Sequence, residues 1–590
     1  LNALDLKILS PRTSLVPMTK TGDEFSALVP GVAAGTDYVF VTEGGNEYPD
    51  PVSRSQPHGV HGSSRVVDQG FFAWSDADWT GISTRDLVVY ELHTGTFSAE
   101  GTFEAIVHFL PYLRKLGITA IELMPVAEFP GTRNWGYDGV SLYAPHSAYG
   151  GPDGLKALVD ACHRVGLAVI LDVVYNHLGP EGNYLGVFAP YFTNVYRTPW
   201  GEAINFDGPY SDGVRRFFID NALYWVTEYH IDALRLDAVH GIFDFGAWHI
   251  LEELTDAVHR QGVLLGRSVT VIAESDLNDV RLIRPRSACG YGLDAQWLDE
   301  FHHSLRAVLT RSNQGYLADF GKMSDLSKAI TEGFVHDGNY SPYRRRRYGS
   351  PSVEIPGRQF VAFIQNHDQV ANASQGDRLA TLLTLDQQKL AAMVVLCAPF
   401  IPLLFMGQEY GETAPFHFFT SFDDPKLIEA VRAGRRAEFA DFAQGRDFAD
   451  PQDPATFQHS KLNWSLSTQT PHSGILRLYQ DLLALRKRWP CLGNCRKDLV
   501  RTDFSEQRRW LVMERTDPVG PHALLVCNFG GSVHDIPISA GAREWRLEIW
   551  SAASAYGSPE SFAAPPKLLG PQSSSVALAD SQAALYLSLT

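Results

Sequence analysis

An arginine and an aspartate two residues apart, Arg235 and Asp237, close the apolar stretch Ile231–Asp237, and two more apolar stretches close in the same manner: Ser268–Glu274 on Glu274, and Phe360–Asp368 on His367 and Asp368. A fourth, Ala168–His177, closes on Asn176 and His177. Carboxyl groups gathered in one place can divide the work of catalysis, one acting in its ionised form while another gives a proton. An arginine beside one of them would keep that one ionised and oriented. Alone, an Arg-x-Asp pair reads as a structural ion pair and a lone histidine as a satisfied core residue. Four short apolar runs that all finish on polar groups read instead as one site.

Such a site needs elements that converge. Apolar and polar residues alternate from Ile231 to Asp237, which puts Leu234 and Leu236 on one face of a strand and Arg235 and Asp237 on the other. A helix-patterned approach, Phe217 to Tyr229, precedes it. Upstream, Leu87–His93 and Ile118–Met124 flank a stretch of helical apolar spacing, Phe103–Leu116, giving a strand-helix-strand unit. Eight such units predict an α/β fold of the TIM (β/α)8 barrel type, whose strands all end on the face where catalysis is assembled. The third strand is predicted at Ala168–Val173, and the fourth and fifth carry Asp237 and Glu274. The sixth falls at Leu293–Trp297, the seventh ends at Asp368 and the eighth is Ile401–Met406. Leu178–Ser211, rich in Gly, Pro and aromatics, predicts a lid inserted after the third strand.

The regions Asp172–His177, Arg235–His240, Glu274 and His367-Asp368, in this order, resemble the four signature regions of the α-amylase superfamily, glycoside hydrolase family 13. Within it, Tyr90–Phe97, Asn134–Gly139, Asp299–His303 and Gln365–Val370 resemble the family of maltooligosyltrehalose trehalohydrolases, from about Asp86 to Trp464. The resemblance implies a retaining glycoside hydrolase that cuts the α-1,4 bond next to the trehalose end of maltooligosyltrehalose. Asp237 would be the nucleophile, Glu274 the acid and then the base, and Asp368 the third carboxylate, which holds sugar hydroxyls and helps to distort the ring. Sugar contacts are implied from Trp135, Tyr137, Asp138, His177, Arg235, His240 and His367. In a pocket for the leaving disaccharide they are implied from Asp299, Glu300, His302, His303, Gln369 and Asn372. No cofactor and no metal are expected, although Asn176 stands where many α-amylases bind calcium, because the insertion is too short to supply the other ligands. The chain departs from the family pattern at Val370-Ala-Asn-Ala373, where Val-Gly-Asn-Arg is usual, and at Ala233, where many have Gly. Glycogen branching enzymes share the layout but show Ser-His-Asp-Glu where this chain has Asn366-His-Asp-Gln369. The alternative of a different class is a non-catalytic carbohydrate-binding protein on an amylase-like barrel, which would be expected to have lost carboxylates that are all present here.

The rest of the chain frames this site. Its 590 residues, 45% hydrophobic and 20% charged, have ordinary globular composition with room for several domains. A net charge of -17 argues against nucleic acid or an anionic membrane as partner, while a neutral sugar is indifferent to it. No apolar run approaches the length of a membrane span and no signal peptide is visible. Six scattered cysteines are too few for a disulfide framework, so a cytoplasmic location is predicted, and Cys491-x-x-x-Cys495 lacks the further ligands of a zinc site. The expected division is an N-terminal β-sandwich over 1–68, a linker over 69–85, with the Pro- and Gly-rich Tyr48–Asp68 leading into it, and the catalytic barrel over 86–490 with its insertion at about 178–211. A C-terminal antiparallel β-sandwich follows over 491–590. The arginine run Arg344–Arg347 reads as a solvated surface stretch. The resemblance implies a maltooligosyltrehalose synthase as the source of substrate, with no stable complex expected.

Overall fold

The computed structural model describes residues 1–373, 375–438, 449–539, 541–559 and 562–589. At its centre eight parallel strands close into a barrel. They are β1 (Val89–Leu92), β2 (Ala120–Leu123), β3 (Ala168–Val173), β4 (Ala233–Leu236), β5 (Thr270–Ala273), β6 (Ala295–Trp297), β7 (Phe360–Ala362) and β8 (Ile401–Phe405). The period-two alternation read in β4 sorts its side chains as expected. Leu234 and Leu236 join the large core between strands and outer helices. Val89, Ala120, Ile170, Ala233, Ile272, Trp297, Val361 and Leu403 fill the barrel interior. Above this apolar floor, the next inward positions are charged: Glu91 on β1, Glu122 on β2, Asp172 on β3 and Arg235 on β4, with Asp172 directly paired to Arg235 and Glu91 to Glu122 in strand register. Four ionisable groups inside a barrel persist only if they neutralise or protonate one another.

Two expectations about local structure give way. The seventh strand stops at Ala362, well short of Asp368. Asn366 caps a short helix, His367–Ala371: its side chain accepts from the backbone N–H groups of Asp368 and Gln369, while Gln369 reaches back to the Asn366 N–H at 2.8 Å. This reciprocal capping makes helix the better use of those backbone groups. The helical stretch Phe103–Leu116 is likewise two helices, Phe103–Val107 and Leu110–Leu116, the second with Pro111 in its first turn.

The flanking units are antiparallel. At the N-terminus, Ser14–Pro17, Leu4–Ile8, Asp37–Thr42 and Glu47–Tyr48 form a sheet to which Ser64–Arg65 adds against Asp37–Thr42. Tyr48 and Ser64–Arg65, toward either end of the segment Tyr48–Asp68, therefore belong to this sheet. Phe40 and Tyr48 pack on Phe188 and Tyr184 of the insertion, at ring separations of 5.9 and 5.2 Å. At the C-terminus a six-stranded sheet, built on Val500–Ser505 through Ala583–Leu589, and a two-stranded sheet of His534–Pro537 with Ser575–Leu578 enclose Trp510, Val526, Ile536, Trp545, Val576 and Tyr586.

Candidate active site

The barrel mouth gathers Arg235, Asp237, Glu274 and Asp368. Arg235 is fully buried, its guanidinium lying over the Trp297 ring at 4.2 Å. Its Nη1 donates to Asp172 Oδ1 and Oδ2 at 2.9 and 2.8 Å and to Asp237 Oδ1 at 2.8 Å, and its Nη2 lies 3.7 Å from Glu274 Oε2. One cation thus serves three carboxyl groups. Just past Asp237 the chain turns through Ala238 in a left-handed conformation, φ 38°, which aims the Ala238 N–H at Glu274 Oε2 at 2.5 Å. A non-glycine residue held there stores strain of the kind that accumulates at functional sites. The side chains of Asp237 and Glu274 are 12% and 13% exposed and that of Asp368 is 43% exposed. The first two are therefore sheltered from water yet open to a ligand.

Shelter has an electrostatic result. Burial raises the Glu274 carboxyl above its ordinary range, the charges of Asp237 and Asp368 push the same way, and Arg235 opposes them. Asp172, deeper in the barrel, is raised by burial to about 7 against the pull of Arg235. A carboxyl biased toward its protonated form beside one bonded to arginine is the division of labour that a glycosidase needs.

The expected sugar-binding residues are distributed unevenly around these groups. Tyr137 Oη donates to Asp172 Oδ2 at 2.6 Å and lies 2.9 Å from His367 Nε2. His177 Nε2–H donates to the Tyr137 carbonyl at 3.0 Å, and its ring stacks on Trp200 of the insertion at 4.9 Å. Trp200, not singled out in the sequence, also approaches His240, at 6.4 Å between rings. Asp138 accepts from Asn134 Nδ2 at 2.7 Å. Trp135 is turned away: it is buried, donates to the His417 carbonyl and meets His367 edge-on, so it backs that imidazole. Gln369 is occupied by helix capping, and the Asn372 Oδ1 accepts from Arg435 at 2.9 Å.

Asp299–His303 begin a helix, Asp299–Thr310. Asp299 lies at the mouth, and its carboxyl is raised well above the usual range by burial and then by Glu274 and Asp368. Glu300 lines the same cavity as Asp299 and His303, but its oxygens are taken within the protein: Oε2 accepts the backbone N–H groups of Val335 and His336 at 2.6 and 2.9 Å, and Oε1 takes His336 Nδ1–H at 2.7 Å. His302 is wholly buried, its ring 6.2 Å from that of Phe363. A helix places successive side chains about 100° apart, so only part of the pentapeptide can face the cleft, and His302 is the member turned into the core. His303 does reach the cavity, between the ends of β5 and β6, with Asp276, Asp299, Tyr316, Arg344 and Tyr348 among its walls. Arg344 is not a solvated charge: its Nη1 donates to Asp276 Oδ2 at 3.0 Å and it covers the Tyr348 ring at 4.0 Å. Arg345 and Arg346 are exposed, as expected of the run. The sequence carried no signal for Arg344 or Asp276, which lie 68 residues apart.

Asn176 is buried, and neither atom of its amide has a hydrogen-bond partner among the described residues. No group of three or more His, Cys, Asp or Glu side chains among those residues could hold a metal ion.

The family description "Alpha amylase, catalytic domain" matches residues 48–196. A malto-oligosyltrehalose trehalohydrolase of Saccharolobus solfataricus is 48% identical over 515 residues, 87% of this chain and 87% of that one. Another, of Arthrobacter ramosus, is 47% identical over 88% of this chain and 91% of its own. A crystal structure described as a putative alpha amylase from Salmonella typhimurium superposes with a TM-score of 0.88 at 39% identity, covering 100% of this chain and 96% of that one. No helix among the described residues is long and apolar enough to cross a membrane. With a closed barrel carrying three carboxylates at its mouth and relatives of this identity across nearly its whole length, the chain belongs to the malto-oligosyltrehalose trehalohydrolase family of α-amylase-type glycosidases.

Proposed function

We propose that this protein hydrolyses the α-1,4 bond next to the trehalose end of maltooligosyltrehalose, releasing trehalose and a maltooligosaccharide with retention of configuration. The observation that carries this reading is Arg235 lying between Asp237 and Glu274. Asp237, held ionised and aimed by the guanidinium, attacks the anomeric carbon and forms a glycosyl-enzyme. Glu274, biased toward its protonated form, gives its proton to the departing oxygen and then takes one from the water that resolves the intermediate. Asp368, the more exposed of the three, bonds hydroxyls of the sugar undergoing distortion, with His177, His367 and Tyr137 on its other sides. The leaving trehalose lies toward Asp299, His303 and Arg344, where polar walls suit a disaccharide whose second ring turns back through its 1,1-linkage.

One experiment tests both bond and stereochemistry. The protein is incubated with maltooligosyltrehalose and followed by proton NMR, with trehalose expected as the smallest product and an α-anomer as the first signal of the new reducing end. Maltose as the main small product would leave an amylase, new 1,6-branches a transferase, and an initial β-anomer would remove Asp237 as nucleophile.

The pH dependence of kcat/KM is expected to be bell-shaped. Activity falls on the acid side because the reaction needs one carboxyl in its ionised form. It falls on the basic side as Glu274 loses its proton, and because burial raises that group, the fall comes above the ordinary carboxylate range. In Glu274→Gln the basic limb should vanish from the residual rate. A limb that persists belongs to another group, Asp172 at about 7 being the first candidate.

A further inference from the structure

We propose that Glu91, an acidic residue of β1 to which the reaction assigns no role, is a positioning residue that grips His367 by ring and backbone at once and fixes a proton on each of its ring nitrogens. Glu91 is buried on the inner face of the barrel. Its Oε1 accepts His367 Nδ1–H at 2.5 Å and its Oε2 accepts the His367 backbone N–H at 3.1 Å. Two oxygens on two donors of one residue leave the imidazole no freedom to rotate or shift along its helix.

The protonation state follows from counting hydrogens. Tyr137 has one hydroxyl proton, and it points to Asp172 Oδ2 at 2.6 Å, so the Tyr137 oxygen meets His367 Nε2 at 2.9 Å as an acceptor. Nε2 must then carry hydrogen. Nδ1 faces a carboxylate and must carry one as well, so the ring is an imidazolium. The surroundings agree on every side. Glu122, the register neighbour of Glu91 on β2, has no hydrogen-bond partner among the described residues, and burial with the Glu91 charge pushes its carboxyl well above the usual range. Glu91 spends both of its oxygens as acceptors from His367, whereas Glu122 has no donor facing either of its own. His93 at the end of β1 is held neutral, its burial lowering it to about 4. Arg235 on β4 repels the His367 ring and burial opposes its charge, but Glu91 and Asp368 outweigh both and raise it to about 9.

Glu91, His367, Tyr137, Asp172, Arg235 and Asp237 thereby form a chain in which charged members alternate in sign, from β1 to the residue read as the nucleophile. His367 Nε2 also lies 3.6 Å from Asp368 Oδ1, so the same cation steadies the third carboxylate. The inference rests on the proposed function only in taking Asp368 and His367 as holders of the sugar that is cleaved.

Glu91→Gln keeps the shape and an acceptor while removing the charge. In the full-length protein, with 15N-labelled histidine and the His367 signals identified by their loss in His367→Gln, both ring nitrogens should be protonated at pH 7.5. In Glu91→Gln they should give the neutral pattern at that pH, kcat should fall 10- to 100-fold and KM should change less than threefold. Glu91→Asp, which restores the charge, should return the imidazolium signals and decides the matter even if the glutamine variant does not fold. A neutral His367 in the wild-type protein at pH 7.5, or a Glu91→Gln kcat within threefold of wild type, would overturn the proposal. The histidine spectrum does not depend on substrate, so a protein that cleaved some other α-glucan would fail the functional reading and leave this test intact.

Discussion

Asp237→Ala is expected to lower kcat by about four orders of magnitude, a loss of roughly 5.5 kcal/mol of barrier lowering, with fold and substrate binding retained. The group removed bonds to carbon only in the transition state and the intermediate, so its loss falls on kcat and not on KM. The site tolerates its removal because Arg235 keeps both of its bonds to Asp172 and is not left an unpaired buried charge. Glu274→Gln should lose a comparable factor. Its amide can still accept the Ala238 N–H, so the left-handed turn past Asp237 keeps its partner. Trehalose release under saturating substrate, beside circular dichroism and thermal unfolding of each variant, provides the measurement. A variant that kept more than about a tenth of wild-type kcat, a cost of only ~1.4 kcal/mol, would lose its assigned role.

The second large effect concerns the choice of bond. kcat/KM for maltooligosyltrehalose should exceed that for the maltooligosaccharide of equal length by at least ~100-fold, about 2.7 kcal/mol of discrimination. Polar walls that bond one disaccharide leave their groups unpaired against another, and unpaired buried groups reject far more strongly than an apolar surface can. Asp299→Ala should shrink this ratio more than it slows cleavage of the plain chain, since Asp299 stands at the mouth, close enough to Glu274 and Asp368 to feel both charges. Glu300→Ala should behave differently. It frees the backbone N–H groups of Val335 and His336 inside the protein, and each buried donor left unpaired costs about 1–3 kcal/mol. Its signature is a lowered Tm with the ratio little changed. Equal activity on both substrates in the wild-type protein would defeat the trehalose-specific pocket altogether.

Much of this site was legible in the chain because Arg235 lies on a strand and Asp237 and Glu274 directly follow strand ends, where the periods are short. In Leu234-Arg-Leu-Asp237 the alternation alone separates the outer core from the barrel interior, and β3 ends where the sequence placed it, at Val173. Asp299–His303 resisted the same treatment. A strand-end loop and the first turn of a helix carry similar polar residues, and only the helix sends Glu300 to His336 and His302 into the core.

The sequence by itself determined the barrel, the order of the three carboxyl groups at its mouth and the presence of antiparallel units at both ends, since each is written in local alternation, turn residues or motifs a few residues long. Only the tertiary structure decided which polar groups share a charge. Glu91 and His367 are 276 positions apart, and Arg344 and Asp276 are 68 apart. Nothing in either pair's neighbours along the chain distinguishes a carboxylate that holds an imidazolium from one that, like Glu122, gives up its charge. That difference is set by closure of the barrel, which brings strands from distant parts of the chain into register and withdraws water from whatever lies between them.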